Sequence, residues 1–294
     1  MIKTIDLLFQ GMVETIAAYV LETEEGPVLF ETGPHSTLPI LESGLKDLGY
    51  TTKDVRHVFL THVHLDHAGG AWYFAEQGAK VYVHPKGVKH LHSPERLMAS
   101  AARIYKDMMD QLWGEMKAIP LDHLLSTEDL ALIKIGEHEI IGHHTPGHAV
   151  HHIAWQIGKD LICGDVGGIK IKDGPVVPPC PPPDINVEDW QESISRLRSL
   201  NPERLHLTHF GTARANQAFF DQLEEKLLKW SMWMKGPYLN QEDPKELSPR
   251  FMAFVQQELM ELGVAKSEAQ KYEMANPSWM SVAGLMRYWK KKLE

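Results

Sequence analysis

Cysteine is nearly absent from this chain: Cys163 and Cys180 are the only two among 294 residues. Two thiols cannot make a disulfide scaffold, and neither belongs to a Cys-x-x-Cys pair, so a small cross-linked secreted fold is excluded. Long apolar runs are missing too. No stretch of eighteen apolar residues occurs, which argues against a membrane span. The opening segment carries Asp6 and Glu14 and has no uninterrupted apolar core, so it reads as mature protein rather than a signal peptide. Surplus positive charge is lacking: 30 Lys and Arg stand against 39 Asp and Glu, a formal net charge of -9. That balance disfavours a general nucleic-acid binder, whose partner rewards excess Lys and Arg. The one locally basic stretch, Arg287 to Lys292, reads as a solvated helix end. No repeat of solenoid period is found. The expectation is a globular protein of the cytoplasm, with a small-molecule substrate, no membrane or nucleic-acid partner, and apolar tail helices able to form a homodimer surface.

What is present in abundance is histidine, seventeen residues in all. Imidazole is the commonest metal ligand and the usual proton carrier near neutral pH, but number alone proves little. Placement decides. Ile2 to Phe9, Thr15 to Glu22 and Pro27 to Glu31 read as strands, and Thr32-Gly33-Pro34 breaks the third. A helix-period segment follows from Leu38 to Leu48, closed by Gly49. Arg56 to Leu60 is a short apolar run that reads as a buried strand, and it leads directly into Thr61-His62-Val63-His64-Leu65-Asp66-His67. Beyond it come a helix from Gly70 to Gln77, a strand from Lys80 to Val83, a turn at His84-Pro85, and an amphipathic helical insertion at about 94–117. Strand signals at Leu130 to Ile135, Glu139 to His144, Ile153 to Ile157 and Leu161 to Cys163 follow one another as in an antiparallel meander. Gly174 to Pro183 holds six prolines and excludes regular structure. Val187 to Leu200 reads as a helix capped by Asn186, Leu205 to Thr208 as the last strand, and everything from Ala213 onward as helix. The pattern implies layered α/β architecture, with 1–217 as a catalytic domain and 218–294 as a helical extension serving as lid or dimer surface.

Four potential ligands within six residues would be costly to bury without a compensating charge, which a divalent cation supplies. In an extended segment residues two apart point the same way, so His62 and His64 can grip one ion while Asp66 and His67, past the bend, face a second. This His-x-His-x-Asp-His string resembles the metallo-β-lactamase superfamily, and downstream matches extend the resemblance over roughly residues 1–215. Thr145-Pro146-Gly147-His148, Gly164-Asp165 after an apolar run, and Thr208-His209 at a strand end all occur in the family's order. The resemblance implies an αββα sandwich of two mixed sheets with outer helices. It implies that His62, His64 and His148 hold one metal, that Asp66, His67 and His209 hold another, and that Asp165 bridges them. One departure is visible: Glu31-Thr32-Gly33 stands where the family often has Asp-Thr-Gly, a change at a residue that supports the ligands.

The resemblance implies a hydrolase of an ester, lactone, thioester or related bond, similar to the glyoxalase II-like and lactonase-like branch. Two divalent ions, zinc first with iron or manganese also accepted, would hold a bridging hydroxide that attacks the substrate, and Asp66 would orient it as the catalytic carboxylate. An iron-dependent redox enzyme on the same scaffold is the first alternative, and a phosphodiesterase or nuclease the second. The remaining histidines are read more plainly. His143, His144, His151 and His152 are taken as strand-face or surface residues, His206 as structural, and His35 and His84 as loop residues within reach of a substrate. Cys163 reads as a buried apolar residue and Cys180, among prolines, as the more exposed thiol. The aromatic and Met residues of 105–113 read as helix core. The sharper expectation is that the insertion, the proline-rich loop and part of the tail roof an apolar substrate pocket.

Overall fold

Apolar and β-branched runs become strands near the expected places, and the computed structural model describes all of Met1–Glu294. Two six-stranded sheets form, ordered β1-β2-β3-β4-β5-β6 and β12-β11-β10-β9-β8-β7. Their members are β1 (Ile2–Asp6), β2 (Ala17–Thr23), β3 (Gly26–Phe30), β4 (His57–Phe59), β5 (Lys80–Val83), β6 (Leu124–Ser126), β7 (Leu132–Ile135), β8 (His138–His144), β9 (Ile153–Ile157), β10 (Asp160–Ile162), β11 (Arg204–Leu207) and β12 (Gly211–Arg214). In the first sheet β1 to β3 pair antiparallel, and β3 to β6 run parallel. The strands β7 to β10 pair antiparallel, as the meander pattern predicted. The helices are α1 (Leu38–Asp47), α2 (Leu65–Ala68), α3 (Ala71–Glu76), α4 (Pro85–His92), α5 (Glu95–Tyr105), α6 (Met109–Leu112), α7 (Val187–Ser199), α8 (Gln217–Leu239), α9 (Pro244–Glu261), α10 (Lys266–Ala275) and α11 (Ser278–Leu293).

The chain gathers into two units, the first comprising Met1–His144 with Ile153–Ile162, and the second Thr145–His152 with Cys163–Glu294. The first is organised around aromatic residues on adjacent parallel strands. Phe30, Phe59 and Tyr82 are register partners across β3, β4 and β5, with ring centroids 5.1 Å and 4.2 Å apart. Trp155 on β9 meets Phe59 edge-on at 4.9 Å, and its Nε1–H donates to Leu60 O at 3.1 Å. Aromatic pairs of this geometry add about 0.5–1.5 kcal/mol beyond their buried area. They fix β4 at the point where the chain leaves it for Thr61-His62.

In the second unit α7 is capped by Asn186, whose side chain accepts from Asp189 N, as the sequence suggests. Its Trp190 is fully buried and donates to Val166 O at 3.0 Å. The tail helices enclose a polar core of their own: Glu258, 7% exposed, accepts from Trp230 Nε1 at 3.0 Å and pairs with Lys226 and Lys229. No helix is long and apolar enough to cross a membrane.

Several expectations need correction. His84-Pro85 is the start of α4 rather than a turn: His84 Nδ1 accepts from Lys86 N, and Pro85 occupies the first helical turn, where its missing N–H costs nothing. The strand β12 lies beyond the strand taken as last, pairing antiparallel with β11, so the helical tail begins at Gln217 and not at Ala213. The short β6 was not foreseen, because three residues carry too little periodicity to register. Cys180 is fully buried rather than exposed. The proline-rich segment around it is pressed against α11, where the α carbon of Gly284 approaches so closely that a Cβ there would sit 2.0 Å from Cys180 O. His143 and His144 lie on β8, as read, whereas His151 and His152 lie outside the strands and are buried, at 5% and 0% exposure.

Candidate metal centre

The first unit carries four of the seven expected side chains, His62, His64, Asp66 and His67, on one short stretch of chain. β4 ends at Phe59, Thr61 to His64 form a bent segment outside the strand with His64 in an extended conformation, and α2 begins immediately after His64. This change from strand to helix sends His62 and His64 one way and Asp66 and His67 onto the first turn of α2. His62 and His67 are fully buried, whereas the Asp66 side chain keeps 21% of its exposure. His62 Nε2 lies 2.9 Å from His64 Nδ1, and His67 Nε2 lies 3.7 Å from Asp66 Oδ2.

The opposite nitrogens of these rings are held by the protein. Glu31 is fully buried, accepts from Thr61 N at 2.6 Å and Thr61 Oγ1 at 3.1 Å, and bonds His67 Nδ1 through Oε2. Thr61 Oγ1 also meets His62 Nδ1 at 3.1 Å. A single carboxylate thus orients His67 directly and His62 through Thr61, turning both Nε2 atoms toward the ligand cluster. Glu31 has φ of 63°. For a residue other than glycine that left-handed backbone costs about 1–3 kcal/mol and persists where the surroundings over-determine it. The Glu31 contacts do so here.

The second unit carries the other three expected side chains, His148, Asp165 and His209. The Thr145-Pro146-Gly147-His148 loop is clamped to α7: Ser193 Oγ donates to Pro146 O at 2.6 Å, and Asn186 N donates to Gly147 O at 2.9 Å. Gly147 has φ of 130°, and a Cβ there would lie 2.3 Å from the Trp190 Cα, so only glycine allows this approach. His148 is buried, donates from Nδ1 to Pro179 O at 3.0 Å, and turns Nε2 to Asp165 Oδ2 at 3.3 Å. Asp165 Oδ1 lies 3.5 Å from His209 Nε2. Asp165 therefore offers one oxygen to each of two imidazoles. His152 braces this loop, bonding Thr145 Oγ1 at 2.8 Å through Nδ1.

The structure collects these side chains into three overlapping groups, His62-His64-His148, His62-His67-Asp165 and Asp66-His67-His209, with all ligand atoms within each group inside 4.8 Å of one another. Five imidazoles and two carboxylates make a mixed nitrogen and oxygen donor set that suits zinc and also accepts iron or manganese. The tethering of His62, His67 and His148 through Nδ1 is the outer support that metal-binding histidines carry. The donor set fits divalent metal.

The other predicted positions fall elsewhere. His35 accepts from Glu115 N at 3.1 Å, tilts against Trp72 at 5.0 Å, and lines a cavity of about 1020 Å³ with Leu38, Met98 and Met116 that none of the seven side chains borders. The His84 ring lies tilted against His144 at 4.1 Å, and burial, followed by the charges of His144 and Lys86, holds its pKa down to about 4. His206 bonds Thr212 Oγ1 at 2.9 Å across β11 and β12. Sequence reasoning did not place Thr61 in the site. Its position between a buried strand and the first histidine is the signal that could have found it.

A family model described as metallo-beta-lactamase superfamily matches residues 12–209. A metallo-beta-lactamase fold-containing protein of Sulfurisphaera tokodaii is 27% identical over 202 residues, 67% of this chain and 74% of its own. The crystal structure of an archaeal metallo-beta-lactamase superfamily protein from Sulfolobus tokodaii has a TM-score of 0.64 at 25% identity, covering 78% of this chain and 85% of that one. A metallo-beta-lactamase family protein from Thermus thermophilus has a TM-score of 0.63 at 19% identity, covering 94% of this chain and 89% of its own, a likeness of fold.

Proposed function

Because the chain belongs to the metallo-beta-lactamase superfamily, we propose that it is a metal-dependent hydrolase acting on an ester, lactone, thioester or related bond of a small molecule. The observation that carries this reading is the collected donor set of His62, His64, Asp66, His67, His148, Asp165 and His209. In this reading His62, His64 and His148 hold one ion, Asp66, His67 and His209 a second, and Asp165 is shared. Divalent ions in such a site supply Lewis acidity toward a carbonyl oxygen and make water more acidic.

The remaining work falls to the side chains. The tethers from Glu31, Thr61 and Pro179 keep the imidazoles in place, so that little reorganisation accompanies the reaction. Asp66 is the carboxylate left partly open to solvent, and in this reading it accepts a hydrogen bond from an attacking water. Zinc is the metal proposed first, on the strength of the five imidazoles.

Elemental analysis of the purified protein, together with ester, lactone, thioester and phosphodiester substrates, tests this reading. The expected result is about two zinc or manganese ions per chain, in keeping with a two-metal site, and turnover of a carbonyl substrate. A His62→Ala, His64→Ala double variant should lose both metal and turnover. Undiminished activity in that variant would end the metal-based reading, and iron with oxygen-dependent turnover would replace hydrolysis with redox chemistry.

A further inference from the structure

One ligand of the candidate centre is held by a segment that has almost no donors of its own. Five of the six residues from Pro178 to Pro183 are proline, so Cys180 carries the only amide N–H among them. Such a chain cannot pair as a strand or a helix. Its position is set by what grips its carbonyls and what packs on its back. At its start Val177 and Ile169 exchange hydrogen bonds, at 2.9 Å from Val177 N and 2.8 Å from Ile169 N. Beyond Val177 the grip comes from α11, in the same unit. The Ser281 Oγ, fully buried, accepts from Cys180 N at 3.4 Å and from Asn276 Nδ2 at 2.8 Å. Gly284 lets α11 lie flat on the segment, since a Cβ there would sit 2.0 Å from Cys180 O and 2.8 Å from Pro181 C. Further along, Arg287 Nε and Lys291 Nζ donate to Pro183 O at 3.1 Å and 2.8 Å. These four residues recur three or four apart, so one face of α11 follows the segment along its length.

Pro179 O, in the middle of this grip, is the acceptor for His148 Nδ1 at 3.0 Å. A carbonyl only accepts, so the ring proton lies on Nδ1, and Nε2 keeps the lone pair that a metal needs. We propose that α11 is a working part of the metal centre, with Ser281 and Gly284 as positioning residues that hold Cys180 and thereby set where Pro179 O receives His148. This rests on the metal-centre half of the hydrolase reading. It adds a support from beyond residues 12–209, the span of the family match. A methyl group at position 284 needs about 3 Å from a carbonyl oxygen, so the segment would have to retreat by roughly 1 Å. A shift of that size in Pro179, bonded directly to Cys180, takes the 3.0 Å contact with His148 out of hydrogen-bond geometry. Within α11 itself alanine is the better helix former, so a loss in Gly284→Ala comes from the contact with the segment.

Zinc affinity of the full chain by chelator competition, and the His148 tautomer by nitrogen NMR of metal-free protein, test this in native protein, Gly284→Ala, Ser281→Ala and Trp289→Phe. The last is the packing control, because it removes the 2.8 Å bond from Nε1 to Ser231 O and loosens α11 against α8. Native His148 should carry its proton on Nδ1. Gly284→Ala should bind zinc about ten- to a hundredfold more weakly, as when an outer support of a metal ligand is lost. Ser281→Ala should bind it about two- to tenfold more weakly, the worth of one neutral hydrogen bond. In both variants His148 should gain the Nε2–H tautomer. Trp289→Phe should lower the melting temperature and leave zinc affinity and tautomer native. Should Gly284→Ala not fold, Ser281→Ala decides alone. Native affinity and tautomer in the Ser281 and Gly284 variants would overturn the proposal, and so would an equal loss of zinc affinity in Trp289→Phe. Zinc binding without turnover of any carbonyl compound would remove the hydrolase reading and leave this one standing, whereas native protein that binds no zinc would remove both.

Discussion

Replacing Glu31 by Gln isolates what a single buried carboxylate contributes to the candidate metal centre. Gln has the same shape, so it keeps the backbone at φ of 63° and opens no cavity. What changes is the donor and acceptor count. Glu31 receives three donors, namely Thr61 N, Thr61 Oγ1 and His67 Nδ1. An amide has one acceptor oxygen, so whichever way Gln turns, its NH2 faces either the Thr61 N–H or the ring N–H of His67. One buried donor is left without an acceptor, which costs about 1–3 kcal/mol. The metal-free protein should lose stability by that amount. If the amide nitrogen faces His67, the ring is released or changes tautomer and Nε2 no longer turns toward Asp66. Loss of such support lowers metal affinity about 10–100-fold, or roughly 1.4–2.8 kcal/mol. Chelator competition measures the second quantity, and urea unfolding of metal-stripped protein measures the first. Metal affinity within about threefold of the native value, or roughly 0.7 kcal/mol, would refute the claim that Glu31 orients His67 for binding.

Two further perturbations address the loop of His148 and the acid limb of stability. Gly147→Ala forces a Cβ against the Trp190 Cα at a φ of 130°; overpacking and backbone strain together cost on the order of 3 kcal/mol, lowering the melting temperature by roughly 6–12 °C, and an unchanged melting curve would refute the close-approach account. His84 has its pKa depressed to about 4 from 6.5 by burial first and then by His144 and Lys86. The unfolded chain therefore takes up a proton that the fold refuses, and this contribution is fully present above pH 6.5 and declines as pH falls toward 4. His84→Asn keeps an acceptor for the α4 cap and should flatten this limb in chelator-treated protein; identical urea midpoints against pH in both proteins would show that another group sets the acid limb.

How much of this was legible in sequence depends on how far apart the cooperating residues lie. His62, His64, Asp66 and His67 stand in one string behind a strand, so a period-2 segment turning into a helix already orients them. The Thr-Pro-Gly-His and Gly-Asp strings are equally local, and the meander that carries them to their places reads directly from alternating apolar runs. The misreadings concern burial imposed from far along the chain. Cys180 looked exposed because prolines surround it, but its cover is Ser281 and Gly284, about a hundred residues on. His152 looked like a strand-face residue, but it carries the hydrogen bond that holds Thr145 in place.

The same distance separates a ligand's identity from its usable atom. Sequence can say that His62, His67 and His148 carry imidazoles, but an imidazole has two nitrogens, and binding requires that the correct one be free of its proton. Thr61, Glu31 and Pro179 O each engage Nδ1 and leave Nε2 for the cluster. Glu31 lies 36 residues before His67, and Pro179 lies 31 residues after His148. Neither spacing forms a motif, because each is set by where β3 and the proline-rich segment pack. The Glu-for-Asp departure at position 31 gains its meaning in the same way. On its left-handed backbone the Glu31 side chain reaches both Thr61 and His67, so the glutamate gives the support that the resemblance expects of an aspartate.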